Sequence, residues 1–197
     1  MTARFRTLDP PAAFGQRRVV TDAAGTGPRQ ETRWVDAASR GDRRAFERLY
    51  ERYSGMVHGI LLARVPRIDV EDLLQDVFLT VYRRLGTLRE PAAFAGWLAM
   101  IARNRATDHI RRVPKTEELP EDLPADNASE TEANAILGII RSLPEAYRET
   151  LVLRLVEGMT GPEIAARTGL TPGSVRVNLH RGLTQLKEKL GRKETHG

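Results

Sequence analysis

The sequence contains no cysteine among its 197 residues. This absence excludes disulfides, thiolate nucleophiles and cysteine-ligated zinc or iron–sulfur sites, so the fold has to be held by its apolar core. Long apolar runs are missing as well. The longest uncharged apolar stretch, near residues 135–140, falls far short of the roughly 18 residues that a membrane-spanning helix requires. Asp9, Pro10 and Pro11 also interrupt the place where a signal peptide would carry its apolar segment. The sequence therefore predicts a cytoplasmic protein without membrane insertion.

Recognisable catalytic motifs are absent too. The histidines at positions 58, 109, 180 and 196 are isolated from one another, and none has the spacing of metal ligands. The sequence contains no phosphate-binding glycine loop, no nucleophile elbow, and no dinucleotide fingerprint after a strand. We therefore expect a protein that is not an enzyme and that uses neither a metal nor another cofactor.

The charge balance is basic. The sequence has 31 Lys and Arg residues and 26 Asp and Glu residues, which gives a formal net charge of +5. A basic protein suits a polyanionic partner such as nucleic acid. Because many soluble proteins share this balance, the charge alone does not identify the partner.

Apolar residues recur with helical spacing, and no alternating strand pattern is present. The segment from Trp34 to Val65 fits either a helical hairpin or one bent helix. Further helices are predicted at 70–85, at 94–112, at 136–143 and from Pro144 to about Glu157. Residues 116–133 hold seven acids, two prolines and no Lys or Arg, a composition typical of an extended linker. The predicted fold is all-α, with two small helical bundles joined by a flexible acidic linker. Its parts are a flexible N-terminal tail (1–32), a first bundle (33–114), the linker (115–133), a second bundle (134–192) and a C-terminal tail (193–197).

The second bundle carries the signals of a helix-turn-helix. Thr160 and Glu163 have capping-box spacing, Gly169 suits the turn, and Thr171 followed by Pro172 begins a longer helix. A helical wheel of that longer helix predicts six outward residues: Arg176, Val177, His180, Arg181, Thr184 and Lys187. Such a helix fits a major groove, and the alternative interpretation is an ordinary solvated basic face.

Two further surfaces in the first bundle carry polar patterns. In the helix predicted at 94–112, one face carries Asn104, Thr107, Asp108 and Arg111. The basic residues that flank this face are Arg103, Arg105 and Arg112. This face fits either single-stranded nucleic acid or solvent. In the helix predicted at 70–85, a ridge of acids opposite the apolar face fits either a basic protein partner or the helix dipole. Its residues are Asp69, Glu71, Asp72, Gln75 and Asp76.

These motifs, taken in order, resemble the extracytoplasmic-function (ECF) subfamily of sigma-70 RNA polymerase sigma factors. The resemblance to sigma region 2 rests on residues 69–78 (DVEDLLQDVF), followed by Phe94-Ala-Gly-Trp97, residues 101–104 (IARN), Asp108 and Arg111-Arg112. The resemblance to sigma region 4 rests on Leu143-Pro144-Glu145, Gly158-Met-Thr160, Glu163-Ile-Ala165, Gly173-Ser-Val-Arg176 and Leu179-His-Arg181. The resemblance covers roughly residues 34–190.

The resemblance implies a subunit that binds core RNA polymerase, recognises the minus-thirty-five and minus-ten promoter elements, and promotes strand opening. It implies three partners: core polymerase through its beta-prime clamp helices and beta flap, promoter DNA, and an anti-sigma factor. The clamp helices would contact Asp69, Glu71, Asp72, Gln75 and Asp76. The unpaired minus-ten strand would contact the loop 86–93 together with Arg103, Asn104, Asp108, Arg111 and Arg112. The minus-thirty-five duplex would face Arg154, Ser174, Arg176, Val177, His180 and Arg181.

The sequence departs from the family pattern at Gly161-Pro162, where larger residues are frequent, and at Val177, where Ser or Thr is frequent. The promoter sequence therefore does not transfer from the family. Two other functions stay open at this stage. One is a helix-turn-helix regulator whose first bundle binds a partner, and the other is a purely helical adaptor.

Overall fold

The computed structural model describes residues 28–112 and 128–194, and these residues form helices and no strand. The prediction of an all-α fold is confirmed. The first bundle contains α1 (Pro28–Ser39), α2 (Arg43–Leu62), α3 (Val70–Arg84) and α4 (Phe94–Arg112). The second contains α5 (Ala128–Arg141), α6 (Glu145–Leu155), α7 (Gly161–Thr168) and α8 (Pro172–Glu194). Residues 113–127, which include most of the predicted linker, lie outside the described residues.

The segment 34–65 is a hairpin of two helices rather than one bent helix. Gly41 ends the connection with a φ of 95°, a conformation that favours glycine. Asp42 caps α2, because its carboxylate accepts a hydrogen bond from the Ala45 amide at 3.1 Å. Leu49 and Ile60 of α2 are fully buried, so this helix forms the centre of the first bundle.

Helix α1 begins inside the segment predicted as a tail. Its first turn places Glu31 against α2, where the carboxylate accepts a hydrogen bond from the Tyr53 hydroxyl at 3.0 Å and also binds Arg52. Apolar spacing becomes visible only from Trp34 onward, whereas the first turn is anchored by polar groups. Residues 1–27, the rest of the predicted tail, lie outside the described residues.

Helix α5 likewise begins inside the predicted linker, at Ala128. Acidic residues suit the first turns of a helix as well as an extended linker, so composition did not locate this boundary. At its other end, Arg141 donates hydrogen bonds to the carbonyls of Leu62 and Val65, at 3.1 and 2.7 Å. The guanidinium therefore satisfies carbonyls at the end of α2 and ties the two bundles together.

Helices α7 and α8 form the predicted helix-turn-helix. Thr160 and Glu163 complete a capping box, in which the Thr160 amide donates to Glu163 Oε2 at 2.8 Å. Gly169 ends α7 with a φ of 77°. The Thr171 hydroxyl then caps α8 by accepting from the Ser174 amide at 3.1 Å, and buried Val175 anchors α8 in the core.

The two bundles pack directly against each other. Helix α6 lies on α2, and α7 lies on α4. At the first contact the chains approach closely, because a Cβ at position 59 would lie 2.7 Å from Leu153 Cδ2. Only glycine fits at Gly59 without displacing its neighbours, and one apolar core runs through both bundles.

Candidate DNA and polymerase interfaces

Helix α4 presents the predicted polar face to solvent. Its opposite face buries Leu98, Ala102 and Ala106, which recur every four residues and fix the orientation of the helix. The exposed residues of the polar face are Asn104, Thr107, Asp108, Arg111 and Arg112. Two side chains that can hydrogen-bond to bases, Asn104 and Asp108, thus lie one turn apart beside two cations that can neutralise phosphates.

Arg105 and His109 of α4 turn away from this face and towards α3. The Arg105 guanidinium binds the Asp76 carboxylate, and His109 Nε2 lies 3.0 Å from Asp69 Oδ2. These α3–α4 contacts hold the two helices in register. Arg105, which the sequence placed beside the polar face, is therefore engaged within the bundle.

The structure divides the predicted acidic ridge into two parts. Asp69 lies in the 3₁₀ turn Arg67–Asp69 before α3, and both Asp69 and Asp76 contact α4. Asp72 and Gln75 are exposed, and Glu71 is partly buried. The helical wheel did not anticipate this division because it treated Asp69 as helical and contained no information about α4. Asp72 and Gln75 are the members most open to a partner.

Arg103, predicted to contact the minus-ten strand, is bound within the chain in this structure. Its Nη2 and Nε donate to the Glu149 carboxylate of α6 at 2.7 and 3.1 Å, and Nη2 also donates to the Thr168 carbonyl at 3.0 Å. The hydrogen bonds to Glu149 raise the pKa of Arg103, burial opposes this change, and the carboxylate charge adds to it. One cation of the predicted strand site is therefore hydrogen-bonded to the second bundle in this structure.

The recognition helix α8 exposes the residues that the sequence assigned to it. Arg176, His180 and Arg181 are exposed, as are Val177, Thr184 and Lys187. The hydroxyl of Ser174 lies 2.8 Å from that of Thr171, so Ser174 belongs to the helix cap as well as to this surface. The arrangement offers cations and an imidazole from the first three turns of a helix, which is the part that enters a major groove.

Arg154 is exposed next to the helix-turn-helix. Its Nη1 donates to the Met159 carbonyl at 3.1 Å and thereby braces the connection between α6 and α7. The loop 86–93 contains the turns Leu85–Thr87 and Pro91–Ala93. Most of its residues are exposed, whereas Phe94 directly after it is buried, so the loop is held by an apolar anchor.

Sequence reasoning did not identify the contacts between the bundles. Glu149 is bound by Arg64 as well as by Arg103, and His58 Nδ1 lies 2.5 Å from Glu157 Oε1. The partners are 46 to 99 residues apart in the chain, and no local pattern connects them. The burial of Glu149 depends on the packing of the second bundle against the first, so the spacing of the residues around it gave no signal of these contacts.

The described residues contain no group of three or more His, Cys, Asp or Glu side chains that could hold a metal ion. Among the same residues, no helix has both the length and the apolar content needed to cross a bilayer.

Two family models match the chain. Residues 49–115 match sigma-70 region 2, and residues 133–186 match sigma-70 region 4. These ranges correspond to most of the first bundle and most of the second. The order of the two regions is the order that the motifs predicted.

Known proteins of similar sequence agree with these matches. The RNA polymerase sigma factor CarQ of Myxococcus xanthus is 35% identical over 164 residues, which cover 78% of this chain and 94% of CarQ. The ECF RNA polymerase sigma-E factor of Haemophilus influenzae is 30% identical over 177 residues, which cover 79% of this chain and 93% of that protein. Among solved structures, that of CnrH in complex with the cytosolic domain of CnrY matches with a TM-score of 0.61 and 25% identity, covering 82% of this chain and 97% of the matched chain.

The two region matches and the identity to curated relatives along nearly their whole length exclude an unrelated regulator or adaptor that shares only a helix-turn-helix. The chain belongs to the ECF subfamily of sigma-70 RNA polymerase sigma factors.

Proposed function

We propose that this sigma factor divides promoter recognition between the exposed faces of α4 and α8 and binds core polymerase through α3. The observation that carries the proposal is the pairing, in one chain, of an exposed Asn104–Asp108 face with a capped recognition helix exposing Arg176 and Arg181. The first surface suits unpaired bases and the second suits duplex DNA.

The minus-ten strand is the proposed ligand of α4. Asn104 and Asp108 offer both donors and acceptors to the edge of an extruded base, while Arg111 and Arg112 neutralise the neighbouring phosphates. The exposed loop 86–93 directly precedes this helix and is included in the proposed site. Arg103 joins the site only when it leaves Glu149.

The minus-thirty-five duplex is the proposed ligand of α8. Arg176, Val177, His180 and Arg181 lie where the helix would enter the major groove, and Ser174 lies at its N-terminal end, beside the backbone phosphates. Arg154, exposed at the end of α6, is proposed to add a contact to the DNA backbone. An Arg that makes a bidentate contact to guanine specifies a base, whereas one that contacts phosphate only adds affinity.

Core polymerase is the proposed partner of α3. Asp72 and Gln75 form an exposed acidic and polar surface opposite the buried Leu73 and Leu74, which suits a basic surface such as that of the beta-prime clamp helices. Glu71 borders this surface, and Asp69 and Asp76 hold it in place through α4. The beta flap is the proposed partner of the second bundle.

Strand opening without a nucleotide requires binding free energy that exceeds the cost of unstacking and unpairing, a few kcal/mol per extruded base. The proposed role of polymerase is to fix the spacing of the two bundles, so that two weak contacts to one promoter add through effective concentration. The protein acts by binding rather than by catalysis, and its place of action is the cytoplasm, where polymerase and promoter meet.

Transcription by core polymerase tests the proposal. The purified chain is added to core enzyme on a library of duplex templates with randomised upstream and minus-ten sequences, and the transcripts are sequenced. We expect initiation at a defined subset of templates that share both elements. The proposal would be contradicted if core polymerase does not initiate when the chain is added, or if initiation does not depend on either promoter element.

An anti-sigma factor is a further proposed partner, because the matching CnrH structure is a complex with the cytosolic domain of CnrY. Such a partner would compete with core polymerase. In a competition assay, a purified anti-sigma domain that binds this chain is expected to release it from core polymerase; simultaneous binding of both would contradict this role.

A further inference from the structure

One exposed position of the recognition helix α8 carries no polar group. The side chain of Val177 is 45% exposed. Its exposed neighbours on the helix can all donate hydrogen bonds, and they are Arg176, His180 and Arg181. The valine that packs into the core is a different one, Val175, which is buried. Among the residues that the structure describes, Val177 is the single large apolar side chain of α8 that is exposed.

The stability of the helix does not explain a valine at position 177. Valine is a weaker helix former than alanine, because its branched side chain has little rotational freedom beside the preceding turn. An exposed valine also leaves apolar surface in water. Both features favour binding, since the side chain is held largely in one rotamer and loses little conformational entropy when a ligand packs against it.

The chemistry of the major groove identifies the group that an apolar side chain recognises. Every base pair presents hydrogen-bond donors or acceptors in this groove, and thymine alone adds a methyl group, at C5. The side chain of Val177 has neither a donor nor an acceptor, so it does not distinguish bases by hydrogen bonding. It favours thymine because the contact removes both the C5-methyl group and the methyl groups of valine from water.

The start of α8 leaves room for the close approach that this contact requires. Gly173 lies one turn before Val177 on the same side of the helix and is exposed. A Cβ at position 173 would meet only Thr171 Oγ1 within 4 Å, at 3.9 Å, so the packing of the protein does not require glycine there. Glycine also weakens a helix relative to alanine. The missing side chain leaves space for DNA beside Val177.

We propose that Val177 reads one thymine of the minus-thirty-five element through an apolar contact with its C5-methyl group. The inference rests on the duplex-binding role proposed for α8, and it adds the identity of one base. Ser or Thr, frequent at this position in the family, offers a hydroxyl that bonds to more than one base. This chain is therefore expected to select thymine more strictly at this base pair than a relative with a hydroxyl there.

Replacement of thymine by deoxyuridine tests the contact, because it removes the C5-methyl group and keeps the base-pairing edge. The full chain bound to core polymerase selects a duplex from a library of randomised upstream elements, and the selected duplex is resynthesised with each thymine replaced in turn. We expect one replacement to weaken binding by about fourfold, the size expected for one buried methyl group. In Val177→Ala the same replacement is expected to have no effect, because the contact is already lost.

Val156→Ala is the matched control. Val156 directly follows α6 and is 49% exposed, so the substitution removes the same two methyl groups from a position of similar exposure outside α8. This variant is expected to keep the full response to deoxyuridine. Alanine favours a helix more than valine does, so Val177→Ala is expected to retain its helix content, which circular dichroism measures.

Two results would overturn the inference alone. In the first, the selected element contains no thymine that responds to deoxyuridine. In the second, the response is as large in Val177→Ala as in the natural sequence, so another group reads the methyl. Failure of the proposed function is a different result, in which the complex shows no preference among upstream sequences and Arg176→Ala and Arg181→Ala change nothing. That result would overturn both.

Discussion

Arg105 of α4 binds the carboxylate of Asp76 of α3, and through this pair the helix with the proposed polymerase surface holds the helix with the proposed strand surface. His109 and Asp69 repeat the connection one turn away. The two surfaces are therefore built as one rigid unit, although they serve different partners. The acids of α3 therefore have different roles, since Asp76 binds α4 and Asp72 is exposed to a partner. Substitutions at these two positions separate the roles.

Asp72→Lys is expected to weaken core polymerase binding without changing stability, because Asp72 is exposed on α3. Asp76→Asn is expected to have the smaller effect on core binding and to lower the free energy of unfolding by up to about 1 kcal/mol, the usual range for a partly exposed ion pair. Fluorescence anisotropy with core enzyme and urea unfolding measure the two effects. Equal losses of core affinity in both variants would contradict the division of the ridge.

Substitutions in α8 separate base reading from phosphate binding. If Arg176 or Arg181 makes a bidentate contact to guanine, its replacement by Ala removes about 1–3 kcal/mol of discrimination at one base pair. Lys187→Ala, on the same exposed surface, is expected to weaken all sequences alike and to reduce the salt dependence. Binding to a library of upstream elements measures both. Unchanged sequence preference in both Arg variants would show that neither side chain reads a base.

Gly169→Ala is expected to destabilise the helix-turn-helix by about 1–2 kcal/mol, because the φ of 77° is costly for any residue with a Cβ. The added Cβ itself meets only Gly96 Cα at 3.9 Å, an ordinary contact. The loss therefore reports the backbone conformation alone. Thermal unfolding measures it, and Gly138→Ala within α5 is expected to change stability in the opposite direction.

The buried hydroxyl of Tyr53 is expected to make the folded protein less stable at alkaline pH. Burial and then the Glu31 carboxylate raise the pKa of its hydroxyl above the ordinary value of 10.0. The unfolded chain therefore loses this proton at lower pH than the folded chain does, and the contribution of Tyr53 to stability is complete below about pH 10 and declines above it. Urea unfolding from pH 9 to 11 is expected to show a steeper decline in the natural sequence than in Tyr53→Phe. Parallel declines would contradict the assignment.

Local sequence signals predicted most of the helices and the helix-turn-helix. The capping box at Thr160 and Glu163, the turn at Gly169 and the cap at Thr171 are interactions between residues at most four apart, so spacing alone is sufficient to find them. The exposed faces of α4 and α8 follow from the same periodicity. The resemblance to the family added the assignment of a ligand to each face.

Contacts across the chain were not predictable in this way. Arg103 and Glu149 are separated by 46 residues, and within its own segment each is an ordinary charged residue of a helix. Helical periodicity places Asp76 on the acidic ridge, whereas in the folded chain its carboxylate binds Arg105 of α4. The start of α1 was missed for a related reason, since Glu31 anchors it through Tyr53 rather than through an apolar repeat.

Capture of the minus-ten strand by α4 is the central claim, and transcription from a pre-melted template tests it most directly. Asn104→Ala and Asp108→Ala are compared with Thr107→Ala, an exposed neighbour on the same helix. We predict normal assembly with core polymerase and a loss of transcription that persists when the minus-ten region is already unpaired, because the missing contact is to the single-stranded base. Normal transcription by both variants across altered minus-ten sequences would contradict the account.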